Sequence, residues 1–196
     1  MPRVSLRPLR RGDAAIVRRL VQLYIYDLVG VRWGVEANGT YGSPRWHQQF
    51  WRRDDRHHFI VRVDGHPAGF ALVRELPEAG GVPAYQMSEF FVLRKYRRRG
   101  VGTRVARALF ARFPGRWELS VITWNVTARP FWRGVIRRVA VGRALSRPHR
   151  QGDLTSILWR FETGRPLARD GITGAARRRR SGGRRSRSAA AARPSA

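Results

Sequence analysis

Residues 87–110 read MSEFFVLRKYRRRGVGTRVARALF. An apolar run through Phe90-Phe91-Val92 gives way to a basic loop, Arg94 to Arg99. Gly100-Val101-Gly102 follows, then Val105 and Leu109 at helical spacing. A charge run by itself is ordinarily a solvated face, and a Gly-x-Gly by itself is ordinarily a turn. Set between a strand and a helix, the two together describe a phosphate-gripping loop. The first N–H groups of a helix have no internal partner and carry partial positive charge. Gly100 and Gly102 put no Cβ between that backbone and a ligand. The arginines add bidentate donors. The sum is a pyrophosphate cradle. The Gly-Lys-Ser/Thr ending of a Walker loop is absent, and so are the third glycine and early βαβ unit of a dinucleotide-binding fold.

Upstream, Val4 to Leu9 alternates as a short strand does. Asp13 is placed as a helix N-cap, with Ala15, Ile16, Leu20, Leu23 and Tyr24 at helical spacing to about Leu28. Gly30 to Gly42 is turn-rich, and Ser43-Pro44 predicts the start of a second helix through Trp46, Phe50 and Trp51. His58 to Val63 and Pro67 to Leu76 flank Asp64-Gly65 as a hairpin. PEAGGVP reads as a loop before a third strand of that group, Tyr85 to Leu93. The glycine-led helix runs to Phe113 and ends at Pro114-Gly115. Trp117 to Ile122 is a strand, and Thr127 to Val139 a helix with Pro130 harmless in its first turn. Leu154 to Phe161 is a last strand. The order β-α-α-β-β-β-α-β-α-β predicts a mixed α/β fold, antiparallel first and with helical crossovers later.

The pattern of a folded domain, residues 1–164, stops near Glu162-Thr163-Gly164. Residues 165–196 carry no aromatic residue and few large aliphatics, so they cannot bury enough apolar surface to offset the entropy of ordering. A disordered Arg-rich tail is expected there, either contacting nucleic acid or a membrane surface nonspecifically or serving as a solvated extension. The formal net charge is +27, and Lys95 is the only lysine. Such a field attracts polyanions. An arginine bias of this kind also follows from the base composition of a coding sequence. The chain has no cysteine, which excludes disulfides, thiolate nucleophiles and Cys-ligated zinc. The histidines have no metal spacing and no metal site is expected. No apolar run approaches the roughly 18 residues of a membrane span, and the N-terminal stretch is no signal sequence, so a cytoplasmic protein is expected.

Arg97-Arg98-Arg99-Gly100-Val101-Gly102 resembles the Arg/Gln-x-x-Gly-x-Gly/Ala signature of the GNAT superfamily of N-acetyltransferases, which lies between that family's fourth strand and third helix. Asn125-Val126-Thr127-Ala128-Arg129-Pro130-Phe131-Trp132 is similar to its Asn-x-x-Ala-x-x-aromatic-Tyr stretch after strand five, and the element order over about residues 3–162 is similar too. The resemblance implies a mostly antiparallel central sheet flanked by helices and splayed between strands four and five. It implies acetyl-CoA, or another acyl-CoA, as donor and an amine of a small molecule or protein as acceptor. Backbone groups of Phe90, Phe91 and Val92 would pair with the pantetheine arm. The N–H groups from Arg98 through Arg99, Gly100, Val101 and Gly102 to Thr103, with Arg97 beside them, would hold the pyrophosphate. Asn125 would hydrogen-bond the cofactor near the thioester.

Glu89 is the candidate general base, because burial in an apolar strand raises a carboxyl pKa toward a useful value. Its bland reading is an outward-facing or arginine-paired carboxylate, and Glu36 is the runner-up. Val92 N–H is the candidate oxyanion donor by resemblance. Trp132 departs from the family, which often has a tyrosine there as general acid. An indole only donates its N–H. Trp132 is then a wall of the thioester pocket or plain helix packing, and the acid is Tyr41, Tyr96 or no side chain at all. Arg133-Gly134-Val135 also replaces an expected Gly-Phe. Trp33, Trp46, Trp51 and Tyr41 are placed to line an acceptor pocket or to pack a core. The competing function is a non-catalytic module that binds CoA or nucleic acid. A monomer or homodimer is expected.

Overall fold

The structure is a computed structural model that describes residues 2–29, 34–41 and 55–164. The expected helix through Trp46, Phe50 and Trp51, the aromatic residue Trp33 and the Arg-rich tail lie outside the described residues.

Strand β1, Val4–Pro8, leads through a 3-10 turn, Arg11–Asp13, into helix α1, Ala14–Val29. Strands β2, Arg56–Val63, β3, His66–Ala79, and β4, Val82–Val92, form a meander. Helix α2, Val101–Arg112, strand β5, Gly115–Ile122, and helix α3, Ala128–Val139, follow. Strands β6, Leu145–Gln151, and β7, Leu154–Thr163, close the described chain. The sheet order is β1-β2-β3-β4-β5-β7-β6. Every neighbouring pair is antiparallel except β4 and β5, which run parallel because α2 crosses over between them.

Each face of the sheet has its own core. Helix α1 buries Val17, Leu20, Val21, Ile25 and Val29, a stripe at helical spacing, against Ile60, Phe70, Leu72 and Phe91. On the other face, α2 buries Val101, Val105, Leu109 and Phe110, and α3 buries Trp132, Val135 and Ile136. They meet Val61, Val73, Met87, Trp117, Leu119 and Phe161 of the sheet. At roughly 1.5–3 kcal/mol per fully buried aliphatic or phenyl side chain, this face holds most of the apolar stabilisation that the described residues supply. Trp117 sits at its centre, edge-on to Phe110 at 4.6 Å, and its indole N–H donates to the Phe113 carbonyl at 2.9 Å. The buried ring therefore leaves no polar atom unsatisfied.

Three expectations are corrected. PEAGGVP is not a loop: β3 runs to Ala79 and β4 begins at Val82, with a tight turn at Gly80-Gly81, φ +66° and +72°. The ladder is irregular between Leu76 and Ala79, where Pro77 has no N–H to donate. A seventh strand, β6, lies where no strand is expected from the sequence. It is mostly exposed, pairs among the described residues only with β7 and holds Pro148, so it has neither apolar alternation nor the composition of an inner strand. Asp13 does not cap α1 forward. Its carboxylate turns back to accept the Arg10 N–H at 3.1 Å and bonds from Arg7 at 2.5 and 2.7 Å and Arg62 at 3.3 Å.

Candidate active site

Parallel pairing of β4 with β5 covers only Ala84 to Met87 against Arg116 to Leu119. Strand β4 continues to Val92 and β5 to Ile122, so the sheet opens between them beyond Met87 and Leu119. The backbone facing this opening follows from the β3 ladder. Phe91 pairs with Phe70, and Leu93 N–H donates to the Ala68 carbonyl at 2.8 Å. Alternate residues of an antiparallel strand turn their polar groups to opposite sides. Phe91 therefore spends its backbone on β3, while Phe90 and Val92 face the opening. The Val92 carbonyl is already taken, by Arg97 Nε at 2.7 Å.

Just before the opening, Leu72 is opposite Glu89 but Val73 is opposite Met87, so Ser88 is an extra residue in β4. Such a bulge reverses which face each later side chain takes. Tyr85 and Met87 pack on the α2–α3 side before it, as Phe90 and Val92 do after it, and Phe91 packs on the α1 side. Glu89 is thereby turned toward α1. There its Oε2 accepts the Tyr24 hydroxyl at 2.6 Å. Phe70 and Phe91 hold the Tyr24 ring at 5.6 and 5.5 Å. Burial pushes the Glu89 carboxyl up to about 7, against the opposing pull of the Tyr24 hydrogen bond and the Arg56 charge. Burial and the neighbouring carboxylate hold the Tyr24 phenol well above its ordinary value. A carboxyl at about 7 is poised for proton transfer near neutral pH.

Beyond β4, a 3-10 turn, Arg94–Tyr96, leads into the basic loop. Arg98 has φ +61° and Gly100 φ +75°, so the chain passes twice through the left-handed region before α2 begins. Arg104 N–H bonds the Gly100 carbonyl at 3.0 Å, which leaves the N–H groups of Val101, Gly102 and Thr103 as the open donors of a helix start. The two glycines answer different needs. A Cβ on Gly100 would meet nothing within 4 Å, so its backbone angle, not space, calls for glycine. A Cβ on Gly102 would lie 3.3 Å from the Phe131 ring and 3.7 Å from Phe90. Its missing side chain makes room for aromatic packing against α3. The side chains of Arg98 and Arg99 are exposed, while Arg97 turns inward to the Val92 carbonyl and to Asp27 of α1.

Asn125 lies at the turn from β5 to α3. Its Oδ1 accepts the Ala128 N–H at 3.2 Å and the Thr127 hydroxyl at 3.3 Å, so this oxygen holds the turn that leads into α3. Trp132 is 5 % exposed, with Phe90 and Phe131 each at 4.9 Å and Phe110 at 6.3 Å. Its surroundings are those of a core residue. Tyr96 is buried against the α2–α3 core and Tyr41 in the α1 core, with the Tyr41 N–H donating to Gln22 Oε1 at 2.6 Å. Glu36 is exposed on a small turn closed by the Val35–Tyr41 bridge. Two participants do not stand out in the sequence. Tyr24 reads there only as a helix-face residue, and Trp124, whose indole N–H donates to the Leu28 carbonyl at 3.2 Å, carries no motif. Nothing local in the sequence links either one to the site. Among the described residues, no cluster of three or more His, Asp or Glu is placed to hold a metal ion. No described helix is long and apolar enough to cross a membrane.

No curated protein matches the sequence closely enough to count as a relative. Among solved structures, an acetyltransferase from Thermus thermophilus superposes with a TM-score of 0.54 at 18% identity, covering 81% of this chain and 96% of its own. NAA60 of Arabidopsis thaliana, solved with acetyl-CoA, gives 0.53 at 14%, covering 82% and 99%. The ribosomal-protein-S18-alanine N-acetyltransferase of Escherichia coli gives 0.53 at 14%, covering 88% and 99%. At these identities the likeness is one of fold, and it agrees with the splayed, mostly antiparallel sheet. The sequence itself matches the family described as Acetyltransferase (GNAT) family over residues 23–135, more than half of its length and spanning Tyr24, Glu89, the basic loop and Asn125. The chain belongs to the GNAT acetyltransferase family.

Proposed function

We propose that the protein is an N-acetyltransferase that moves the acetyl group of acetyl-CoA to an amine. The observation that carries this reading is the opening of β4 from β5 directly into the loop whose Gly100 has φ +75°. A thioester held along the free edge of β4 would then lie beside a carboxyl poised at about 7. The family membership and the NAA60 complex with acetyl-CoA support the choice of donor.

In this reading, the backbone of Phe90 offers the pantetheine amides an added-strand partner, and the Val92 N–H is kept for the thioester oxygen. The loop N–H groups from Arg98 to Thr103 receive the pyrophosphate, and the exposed Arg98 and Arg99 side chains add charge. Asn125 steadies the donor near the thioester through its side-chain amide, whose Oδ1 also holds the turn into α3. Glu89 takes the ammonium proton directly or through a water, leaving a neutral amine to attack the thioester carbonyl. The Val92 N–H meets the oxyanion that forms. Collapse of the tetrahedral adduct expels the CoA thiolate, a tolerable leaving group near neutral pH, and the second proton of the attacking nitrogen leaves to that thiolate or to water. Trp132 walls the aromatic pocket with Phe90 and carries no proton. The acceptor is a small-molecule or protein amine, and the charge of +27 favours an acidic or amphoteric one over a polycation.

The test is isothermal titration with acetyl-CoA of the wild type and of Gly100→Glu, followed by thiol release with a panel of primary amines. Binding by the wild type that is lost in the variant, together with turnover of any amine, is the expected result. A folded wild type that binds no acetyl-CoA overturns the reading. Binding without turnover of any amine makes the protein a non-catalytic CoA-binding member of its family, the alternative that the indole at Trp132 favours.

A further inference from the structure

We propose that Asp27 is a positioning residue for the donor loop, acting through Arg97. This rests on the reading that the loop holds the pyrophosphate of acetyl-CoA. Asp27 lies in the last turn of α1. Its Oδ1 accepts Arg94 Nε at 2.6 Å, and its Oδ2 accepts Arg97 Nη2. The two arginines are not equivalent. The Arg94 side chain is 78% exposed and the Arg97 side chain 36%, around an Asp27 side chain that is 18% exposed. The Arg97 guanidinium also reaches β4, with its Nε on the Val92 carbonyl at 2.7 Å and its carbon 5.8 Å from the centre of the Phe91 ring. One side chain thus brackets the end of α1 to the end of β4, at the mouth of the opening. The motif's first arginine is spent inside the protein and not on a ligand.

The bracket sits where the loop needs it. After Arg97, the backbone enters the left-handed region at Arg98, φ +61°, a conformation that a residue with a side chain keeps only where its surroundings over-determine it. The first turn of α2 restrains the loop on one side, and the bonds of Arg97 restrain it on the other. Without the Asp27 carboxylate, the guanidinium keeps a carbonyl partner but loses its charged one. The ligand would then have to order the loop itself, and that ordering appears as weaker binding. Two further hydrogen bonds fall on the same end of α1. Tyr24 reaches Glu89, and the Leu28 carbonyl receives Trp124 from the far lip of the opening. Residues 24, 27 and 28 share a helix face by their spacing.

Isothermal titration of the full chain with acetyl-CoA tests this, on wild type, Asp27→Asn, Arg97→Gln and the double variant. Glutamine keeps an N–H donor for the Val92 carbonyl but offers Asp27 no charge. Asp27→Asn is expected to weaken binding by about five- to twentyfold, and the double variant to bind no more weakly than Arg97→Gln alone. A merely structural role for Asp27 makes the two losses multiply. Multiplied losses, or wild-type affinity in Asp27→Asn, overturn the proposal and leave the donor reading intact. Failure of the wild type to bind acetyl-CoA overturns both. If Asp27→Asn does not fold, Arg97→Lys replaces it, because lysine keeps a charge for Asp27. Tighter binding by Arg97→Lys than by Arg97→Gln supports the proposal, and equal binding by the two overturns it.

Discussion

Glu89 faces α1 only because Ser88 is one residue too many for the β3–β4 ladder. That displacement brings the carboxylate under Tyr24, and burial there lifts its pKa to about 7. As the proposed base, Glu89 would work as the carboxylate, so acetyl transfer should rise as pH climbs through about 7 and level off above it. The Tyr24 hydroxyl favours the charged form, so Tyr24→Phe should move the rise to higher pH, by roughly one pH unit for a hydrogen bond to a charged group. Initial rates of thiol release between about pH 5 and about pH 9 check this, and superimposable profiles would refute it. Glu89→Gln should lose about a hundredfold or more of the transfer rate. It should nonetheless melt higher than the wild type near pH 8. A carboxyl raised in the folded state contributes stability that is present below its unfolded value near 4.5 and lost as pH rises through about 7. Near pH 4 the two melting curves should converge. Glu89 can be singled out in the sequence because an acid in an apolar strand is conspicuous. Tyr24, 65 residues away, cannot. Its partnership depends on a bulge that no local composition announces.

At the scale of elements, the first turns of the chain hang on Asp13. Arg7 comes from β1, Arg62 from β2, and Asp13 stands at the entry to α1, so one carboxylate ties three elements together. The hydrogen bond from Arg7, foremost, and those from Arg10 N–H and Arg62 lower its pKa to about 2 despite burial. A depressed carboxyl contributes stability that is present above its unfolded value near 3.8 and lost as pH falls through about 2. Asp13→Asn should therefore cost about 2 kcal/mol at pH 7, less than a fully buried pair because both arginines are partly exposed. Denaturant unfolding at several pH values should find that deficit shrinking as acid is added. A deficit unchanged down to about pH 2 would mean that packing, and not charge, holds the turn. The same corner marks what the sequence can tell. Apolar alternation in β2 and the helical stripe of α1 are legible because burial imposes them residue by residue. Asp13 reads as a forward cap because capping is the commoner use of an aspartate there. Its real partners lie on strands that only the fold brings near. Strand β6 is hidden for the opposite reason: an exposed edge needs no apolar pattern.

For the whole molecule, the question is where the charge of +27 acts. Residues 165–196 hold ten arginines and one aspartate, a third of the net charge. The remaining two thirds belongs to residues 1–164, where Arg97, Arg98 and Arg99 belong to the loop proposed to hold the donor and Arg56 adjoins Glu89. Charge fixed beside a site acts on the ligands of that site, while a run such as Arg177 to Arg180 acts on any polyanion within reach. The two populations should separate on deletion. A chain ending at Gly164 should bind acetyl-CoA as tightly as the full chain, since none of the groups assigned to the donor lies beyond that residue. Its affinity for a single-stranded oligonucleotide should fall by at least about tenfold at moderate salt. The slope of log affinity against log salt should flatten by roughly 0.7 for each phosphate that the shortened chain no longer neutralises. Fluorescence anisotropy over a salt series measures both quantities. Oligonucleotide binding that survives the deletion with its slope unchanged would place the polyanion surface on the folded domain. The basic loop and any nucleic acid would then compete for the same ground, and acetyl-CoA should displace the oligonucleotide.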